Sequence, residues 1–270
     1  MGEVVQSFQR GLAVIRSFSA DTPAQTLSDV ARATGLNRAT ARRLLLTLEG
    51  LGYVRSHDAL FQLTPKILEL GYAFVASSGV PQLALPYLEQ LSAEVNESSS
   101  VAVLDETSVV YVARVPAKRV MTVSIGLGSR FPAYRTSLGR VMLAALTREE
   151  VERVWERSDR SDPTSRTVTS LGELLARLED VRQQGWAMVD QELEMGVRSL
   201  AAPLRNAVGE TLAAVNVSTH VSRTPKSELH SRFLPALLGA AEAISDAIAN
   251  HPVGLAPFRP LEEAGTPRSR

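Results

Sequence analysis

The feature that most restricts what this chain can fold into is the stretch over residues 26–54, TLSDVARATGLNRATARRLLLTLEGLGYV. Ala31, Gly35 and Leu36 supply a small residue, a turn glycine and an apolar residue at the spacing where two helices meet across one tight turn. Thr26 or Ser28 can cap the first helix, Gly35 breaks it, and Asn37 opens a second helix that ends at Gly50 or Gly52. In the second helix Leu44, Leu45 and Leu48 can face a core, while Asn37, Arg38, Thr40, Arg42 and Arg43 make its N-terminal half polar. A recognition helix divides its side chains this way, presenting the N-terminal half to base edges and phosphates. A plain helical hairpin with a solvated arginine face would show the same periodicity. The next residues favour the DNA reading. Two short strands, 53–56 and 60–63, flank His57-Asp58-Ala59, a wing that can set Arg55 and His57 beside adjacent phosphates. The DNA-contact candidates are therefore Thr26, Asn37, Arg38, Thr40, Arg42, Arg43, Arg55 and His57.

Around this unit the periodicity predicts a helix over 7–18, with Phe8, Leu12, Val14, Ile15 and Phe18 on its apolar side, followed by a loop through Pro23. After the wing, Thr64 caps a helix with Pro65 at its first position, predicted over 64–76. Ser77-Ser-Gly-Val-Pro81 then interrupts the pattern and marks a domain boundary. Beyond it a helix is expected from Pro86, and strands over 99–104, 108–115, 121–125, 186–189, 199–204 and 211–218. Helices are expected over 137–146, 149–156, 170–184 and 228–250. The organisation is α+β, with a DNA-binding domain over 1–76, a second domain over 83–252, and a proline-bearing tail over 253–270 that reads as disordered.

Composition narrows the function classes. At 270 residues the chain can bury roughly 70–75% of its unfolded surface, so neither disulfide nor structural metal is required for stability. It contains no cysteine, which excludes zinc–thiolate fingers, iron–sulfur clusters and thiol nucleophiles, and agrees with a reducing compartment. There is no apolar run of about 18 residues and no signal-peptide pattern at the start, so a cytoplasmic location is expected. With 29 basic and 29 acidic residues the net charge is zero, and any nucleic-acid site must be local.

Six segments give the chain a family likeness: LNRATARRLLLTLEGLGYV (36–54), LTPKILELGYAFV (63–75), PYLEQLSAEVNESSSVAVLD (86–105), VVYVARV (109–115), GSRFPAYRTSLGRVMLAAL (128–146) and DQELEMGVRSLAAPL (190–204). Together they resemble the IclR family of bacterial transcription regulators. The first and fifth are similar to its branch regulating the β-ketoadipate pathway of aromatic catabolism. The resemblance implies an N-terminal winged helix-turn-helix domain, a linker helix, and a GAF-like effector-binding domain with an antiparallel sheet flanked by helices. It also implies homodimers that pair into tetramers, double-stranded operator DNA and possible contact with RNA polymerase, and an effector such as β-ketoadipate, protocatechuate or 4-hydroxybenzoate, with no cofactor. Effector binding would change operator affinity or polymerase contacts through the linker helix.

Carried onto this chain, the family pattern places the effector loop at Thr136, Ser137 and Gly139, and polar strand positions at Asp190, Ser199, Asn216 and Ser218. Arg135 stands where the branch is expected to have a small residue. It can add a fork for a carboxylate, point to solvent, or alter ligand preference. From the residues themselves, Arg130, Arg135, Thr136 and Ser137 lie close enough in sequence to form the cationic end of a pocket for an acid. A surface ion pair is the alternative for Arg130, and strand hydroxyls satisfied by neighbouring backbone are the alternative for Ser199, Asn216 and Ser218.

A small-molecule enzyme with an accessory helical domain is the competing class. Gly126-Leu127-Gly128 lacks the third glycine of a dinucleotide fingerprint, and the G-x-S-x-G, S-x-x-K, P-loop and H-E-x-x-H patterns are all absent. His57, His220, His230 and His251 are too scattered for a metal site, and Asp190, Glu192 and Glu194 read as a solvated or ion-paired strand edge, so neither metal nor catalysis is expected.

Overall fold

Thr26 and Asn37 set the geometry of the N-terminal unit because each satisfies backbone N–H groups that a helix start leaves open. The Thr26 hydroxyl accepts from Asp29 N, and the Asp29 carboxylate accepts from Thr26 N, closing a capping box on α2 (Leu27–Thr34). Gly35 ends α2 at φ 67°, a left-handed conformation that suits glycine, and Asn37 Oδ1 accepts from Thr40 N at 2.8 Å to start α3 (Arg38–Gly50). A computed structural model describes residues 4–19, 21–72, 79–117, 125–161 and 164–251. The chain divides into two units, Met1–Ala76 and Ser77–Arg270.

The first unit also contains α1 (Gln6–Arg16), β1 (Ala24–Thr26), β2 (Val54–His57) and β3 (Leu60–Leu63). Val14 and Phe18 pack with Val30, Leu45, Leu48 and Val54 to form its core. The strands order β1-β3-β2, all antiparallel. β1 lies between the expected loop through Pro23 and the first helix of the bihelical unit, where no strand was expected. It exists because Ala24, Gln25 and Thr26 pair with Gln62, Phe61 and Leu60, a long-range match that local propensity does not encode. The wing turn places Asp58 at φ 48° and Ala59 at φ 64° between paired His57 and Leu60, the backbone of a type I′ hairpin. After β3, Thr64 caps a turn over Pro65–Leu68 and the chain remains helical through Tyr72.

The second unit is a six-stranded antiparallel sheet in the order β6-β5-β4-β9-β8-β7. Its strands are β4 (Ser98–Asp105), β5 (Ser108–Val115), β6 (Arg130–Pro132), β7 (Ala187–Asp190), β8 (Val197–Arg205) and β9 (Thr211–His220). On one face α4 (Val80–Val95) and α8 (Leu234–Asn250) cover Val101, Val103, Leu200, Ala202, Val215 and Val217. On the other face α5 (Ser137–Ala144), α6 (Arg148–Arg157) and α7 (Leu171–Gln184) cover Ala102, Leu104, Tyr111, Ala201 and Ala214. The two-residue alternation of the strands assigns neighbours to opposite cores. Each fully buried leucine or valine contributes about 1.5–3 kcal/mol to this arrangement.

Two helix starts differ from expectation. α4 begins at Val80, not at Pro86: Pro81 sits in the first turn, where a missing N–H costs nothing. Val80, Ala84, Leu88, Leu91 and Val95 form a buried stripe that outweighs the one hydrogen bond lost at Pro86. The closing helix begins at Leu234, after a short turn over Lys226–Glu228 and a wider π turn over Leu229–Phe233. Residues 73–76 of the helix read after the wing, residues 121–124 of the strand read over 121–125, and the tail over 253–270 lie outside the described residues.

Candidate functional site

The N-terminal unit presents its basic side chains on α3 as the spacing predicts. Ala41, Leu45 and Leu48 are buried, whereas Arg38, Arg42 and Arg43 are exposed, and none of these arginines enters an ion pair among the described residues. Their charges face solvent and are open to a polyanion, where phosphate contacts release counterions. Thr26 and Asn37 are engaged as caps of α2 and α3, and Thr40 donates its N–H to Asn37, so Thr26 orients α2 while Asn37 and Thr40 orient α3. On the wing Arg55 donates to Gln62 Oε1 at 3.2 Å, and His57 lies 3.2 Å from Asp58 Oδ2; both are exposed.

The second unit carries a cavity of about 290 Å³ at the end of the sheet where α5 begins. Tyr111 and Arg114 of β5, Phe131 of β6, Val189 of β7, Ser199 of β8, and Asn216 and Ser218 of β9 line it, with Arg135, Thr136 and Ser137 at the helix start. Strand register explains the convergence. Ser98 pairs with Ser218, which pairs with Ser199, and Ser100 pairs with Arg114 on one side and Asn216 on the other. The same sheet face is apolar under α5 and polar beyond its first turn.

Few of these groups are idle. Ser137 Oγ donates to Ser199 Oγ at 2.9 Å, joining positions 62 residues apart, and Asn216 Nδ2 donates to Ser218 Oγ at 3.0 Å. Arg114 donates to Ser100 Oγ and Ser98 Oγ at 3.2 and 3.3 Å, and Arg135 donates to Ser161 O at 3.0 Å. Asn216 Oδ1 is buried and accepts no hydrogen bond among the described residues. Burial pushes the Tyr111 hydroxyl up to about 12, against the attraction of Arg114, so it remains a neutral donor. Burial lowers Arg114 from its usual value, with Tyr111 opposing the shift. Thr136 Oγ1 caps α5 by accepting from Gly139 N at 2.9 Å, so the positive end of the α5 dipole borders the cavity.

Arg135, Thr136, Ser137, Ser199, Asn216 and Ser218 thus line one space. Three other candidates stand elsewhere. Arg130 pairs with Asp105 at 2.5 Å on the surface, because β6 is an edge strand and turns its side chain outward. Gly139 packs against the turn before α5, where an added Cβ would lie 2.0 Å from Ala133 O; it shapes the loop without lining the cavity. Asp190 is held by Arg198, Lys226 and Arg166 at 2.8, 3.0 and 3.2 Å, and Glu192 is held by Arg140. Burial opposes ionisation of Asp190, but hydrogen bonds from Arg198 and Lys226 prevail and bring its pKa to about 2. Asp190 and Glu192 are therefore ion-paired with different partners, while Glu194 borders the cavity.

Sequence reasoning missed Arg114, Tyr111 and Phe131. No local signal gave Arg114: strict alternation from Tyr111 turns it to the opposite face, and only the register shift between the Val101–Ala113 and Ala102–Tyr111 pairs brings both onto the face of Ser100 and Ala102. A larger depression of about 430 Å³ opens at the opposite end of the sheet, beside Leu104, Glu150, Arg205 and Glu210. Glu150 accepts from Thr147 N there and Glu210 accepts from Asn206 Nδ2, so these carboxylates already have partners.

Residues 7–58 match the IclR helix-turn-helix domain, and residues 72–246 match the family described as Bacterial transcriptional regulator IclR C-terminal. The chain belongs to the IclR family. Its polar cavity accordingly lies in the IclR C-terminal region and its arginine-bearing α3 in the IclR helix-turn-helix region. The Pca regulon regulatory protein of Pseudomonas putida is 42% identical over 240 residues, which cover 88% of this chain and 82% of that protein. A crystal structure from Rhodococcus sp. RHA1, assigned as a transcriptional regulator, is 52% identical with a TM-score of 0.80 and covers 91% of this chain and 98% of that one. A double mutant of the PobR transcription factor inducer-binding domain from Acinetobacter, in complex with 3-hydroxybenzoic acid, is 35% identical with a TM-score of 0.57. It covers 61% of this chain and 97% of that one.

Proposed function

We propose that this IclR-family protein is a cytoplasmic regulator of aromatic-compound catabolism, of the β-ketoadipate pathway branch, whose operator affinity or polymerase contacts respond to a small acid bound in the C-terminal cavity. The observation that carries this reading is the cavity: cationic Arg114 and Arg135, a group of hydroxyls and an apolar wall meet in one space of about 290 Å³. Pockets for small organic acids combine apolar enclosure with a few convergent polar groups in this way. A relative 35% identical, the PobR inducer-binding domain, is in complex with an aromatic acid, which supports a ligand of the same chemistry here. β-Ketoadipate, protocatechuate and 4-hydroxybenzoate are the candidates.

The DNA half rests on α3 and the wing. Arg38, Arg42 and Arg43 contact the major groove and its phosphates, and Arg55 and His57 contact flanking phosphates. The chain works as a homodimer or a pair of dimers, because two copies of a helix-turn-helix unit read two half-sites. Effector acts through its differential affinity for two arrangements of the assembly, one of which matches the operator spacing.

Fluorescence anisotropy with DNA flanking the protein's own gene, at one fixed salt concentration, tests both halves. One of the three acids should change the operator affinity of the full chain several-fold. Tight DNA binding indifferent to all of them would overturn the effector assignment, and no binding to that DNA would overturn the operator assignment.

A further inference from the structure

Three consecutive backbone carbonyls at the exit of α3 are taken by two residues from beyond the wing. Tyr53 O accepts from Thr64 N at 2.9 Å, Gly52 O from the Thr64 hydroxyl at 2.6 Å, and Leu51 O from Lys66 Nζ at 3.0 Å. The C-terminal end of α3 is thus tied to the turn over Pro65–Leu68 that follows the wing, and Lys66 brings a charge to this joint.

α3 lacks a cation of its own at that end. Its last turn contains no basic residue and carries Glu49 beside the negative end of the helix dipole. Lys66 supplies the positive charge from outside the helix. Its ammonium lies 5.2 Å from the centroid of the Tyr53 ring, and its stem passes over Gly52, where a Cβ would stand 3.6 Å from Lys66 Cδ. Tyr53 in turn packs against the core of the first unit. The contact is therefore braced on both sides, by the helix end and by a ring that the core holds.

The length of α3 makes its exit matter at its entry. The helix has 13 residues. It spans about 20 Å, so a tilt of about 5° at the exit moves the first turn by roughly 1.5–2 Å. That displacement breaks hydrogen bonds to base edges, whose geometry is narrow, while long arginine side chains can still follow the phosphates.

Resting on the reading of α3 as the recognition helix, we propose that Lys66 is a positioning residue for operator recognition, acting on DNA through the angle of α3 and not by touching it. Loss of its charge weakens binding to the operator more than binding to DNA of unrelated sequence, because non-specific binding rests on phosphate charge.

The test is fluorescence anisotropy of the full chain with DNA flanking its own gene and with an unrelated duplex of equal length, at several salt concentrations, for the natural protein, Lys66→Met and Lys66→Arg. Lys66→Met keeps most of the apolar stem and loses the charge. It should bind the operator DNA about five- to tenfold more weakly, stay within about twofold of the natural protein on the unrelated duplex, and keep the same slope against salt. Lys66→Arg, which retains a cation and donors for the Leu51 carbonyl and the Tyr53 ring, should keep most of the operator preference. Equal weakening on both duplexes, with a salt slope smaller by about one, would mark a direct phosphate contact and overturn the proposal. Equal weakening together with a lower unfolding temperature would mark a merely structural role, and an unchanged operator preference would mark no role; each overturns the proposal and leaves the operator assignment standing. A natural protein with no preference for its own flanking DNA would overturn that assignment and the proposal with it.

Discussion

Arg140 and Glu192 form a buried ion pair at 2.5 Å, joining the first turns of α5 to the loop after β7. Arg140 Nε also donates to Tyr134 O, and Glu192 also accepts from Val168 N, so three segments around the cavity meet at one pair of charges. The loop that carries Glu192 supplies Leu193 and Glu194 to the cavity wall, and α5 supplies Ser137.

Removing one partner of such a pair leaves the other buried and uncompensated. Arg140→Met or Glu192→Met alone should lower stability by about 3–5 kcal/mol, and the double variant carrying both should recover much of that loss. Urea denaturation of the single and double variants checks the cycle; additive losses would show that the charges do not act on each other.

Gly139 fills a position with no room for a side chain, since a Cβ there would lie 2.0 Å from a backbone oxygen that cannot swing aside. Gly139→Ala should cost about 1–3 kcal/mol or more and weaken effector binding by displacing Thr136 and Ser137. Thermal unfolding and effector titration measure the two effects, and a variant as stable as the natural protein would refute the packing role.

Asp190 gives the C-terminal unit an acid limit. Its pKa of about 2 lies below the unfolded value near 4, so its ionised form stabilises the fold at all pH above about 4. That contribution falls as pH drops from about 4 toward 2. Asp190→Asn should be less stable at neutral pH and show a shallower loss across this window. Denaturation midpoints at pH 7, 4 and 3 report it, and parallel curves for the two proteins would contradict it.

Arg42 is exposed on α3 and forms no ion pair among the described residues, so its removal touches little of the fold. Arg42→Ala should keep the unfolding temperature and effector affinity, weaken operator binding by roughly tenfold, and flatten its dependence on salt. Ser137→Leu should do the reverse by filling the cavity while leaving operator affinity intact. Anisotropy titrations at two salt concentrations distinguish them, and unchanged operator affinity for Arg42→Ala would remove that residue from the interface.

The bihelical unit was legible because its signals are local. The cap at Thr26 or Ser28, the Gly35 turn and the apolar Leu44, Leu45 and Leu48 act within a few residues; Thr26 is the cap, Gly35 the turn, and Leu45 and Leu48 are buried, while Leu44 is only partly buried and Ala41 takes the remaining core position. Strand positions in the second unit were legible for the same reason, from valine- and alanine-rich runs such as VVYVARV and SLAAPL. β1 was not: three residues become a strand only because β3 comes to lie beside them.

The cavity divides along the same line. Ser137, Ser199, Asn216 and Ser218 were reached through family likeness, while Arg114 entered only when β5 and β9 were seen to flank the same serine of β4. Arg130 and Arg135 are five positions apart and chemically equal, yet one pairs with Asp105 on an edge strand and the other lines the cavity. The sequence by itself determined most helices and caps, the positions of most strands and the absence of cysteine, since these depend on neighbours in the chain. Which charges meet each other, and which remain open to a ligand, only the tertiary structure decided, because electrostatic pairing and desolvation depend on distance in space and depth of burial.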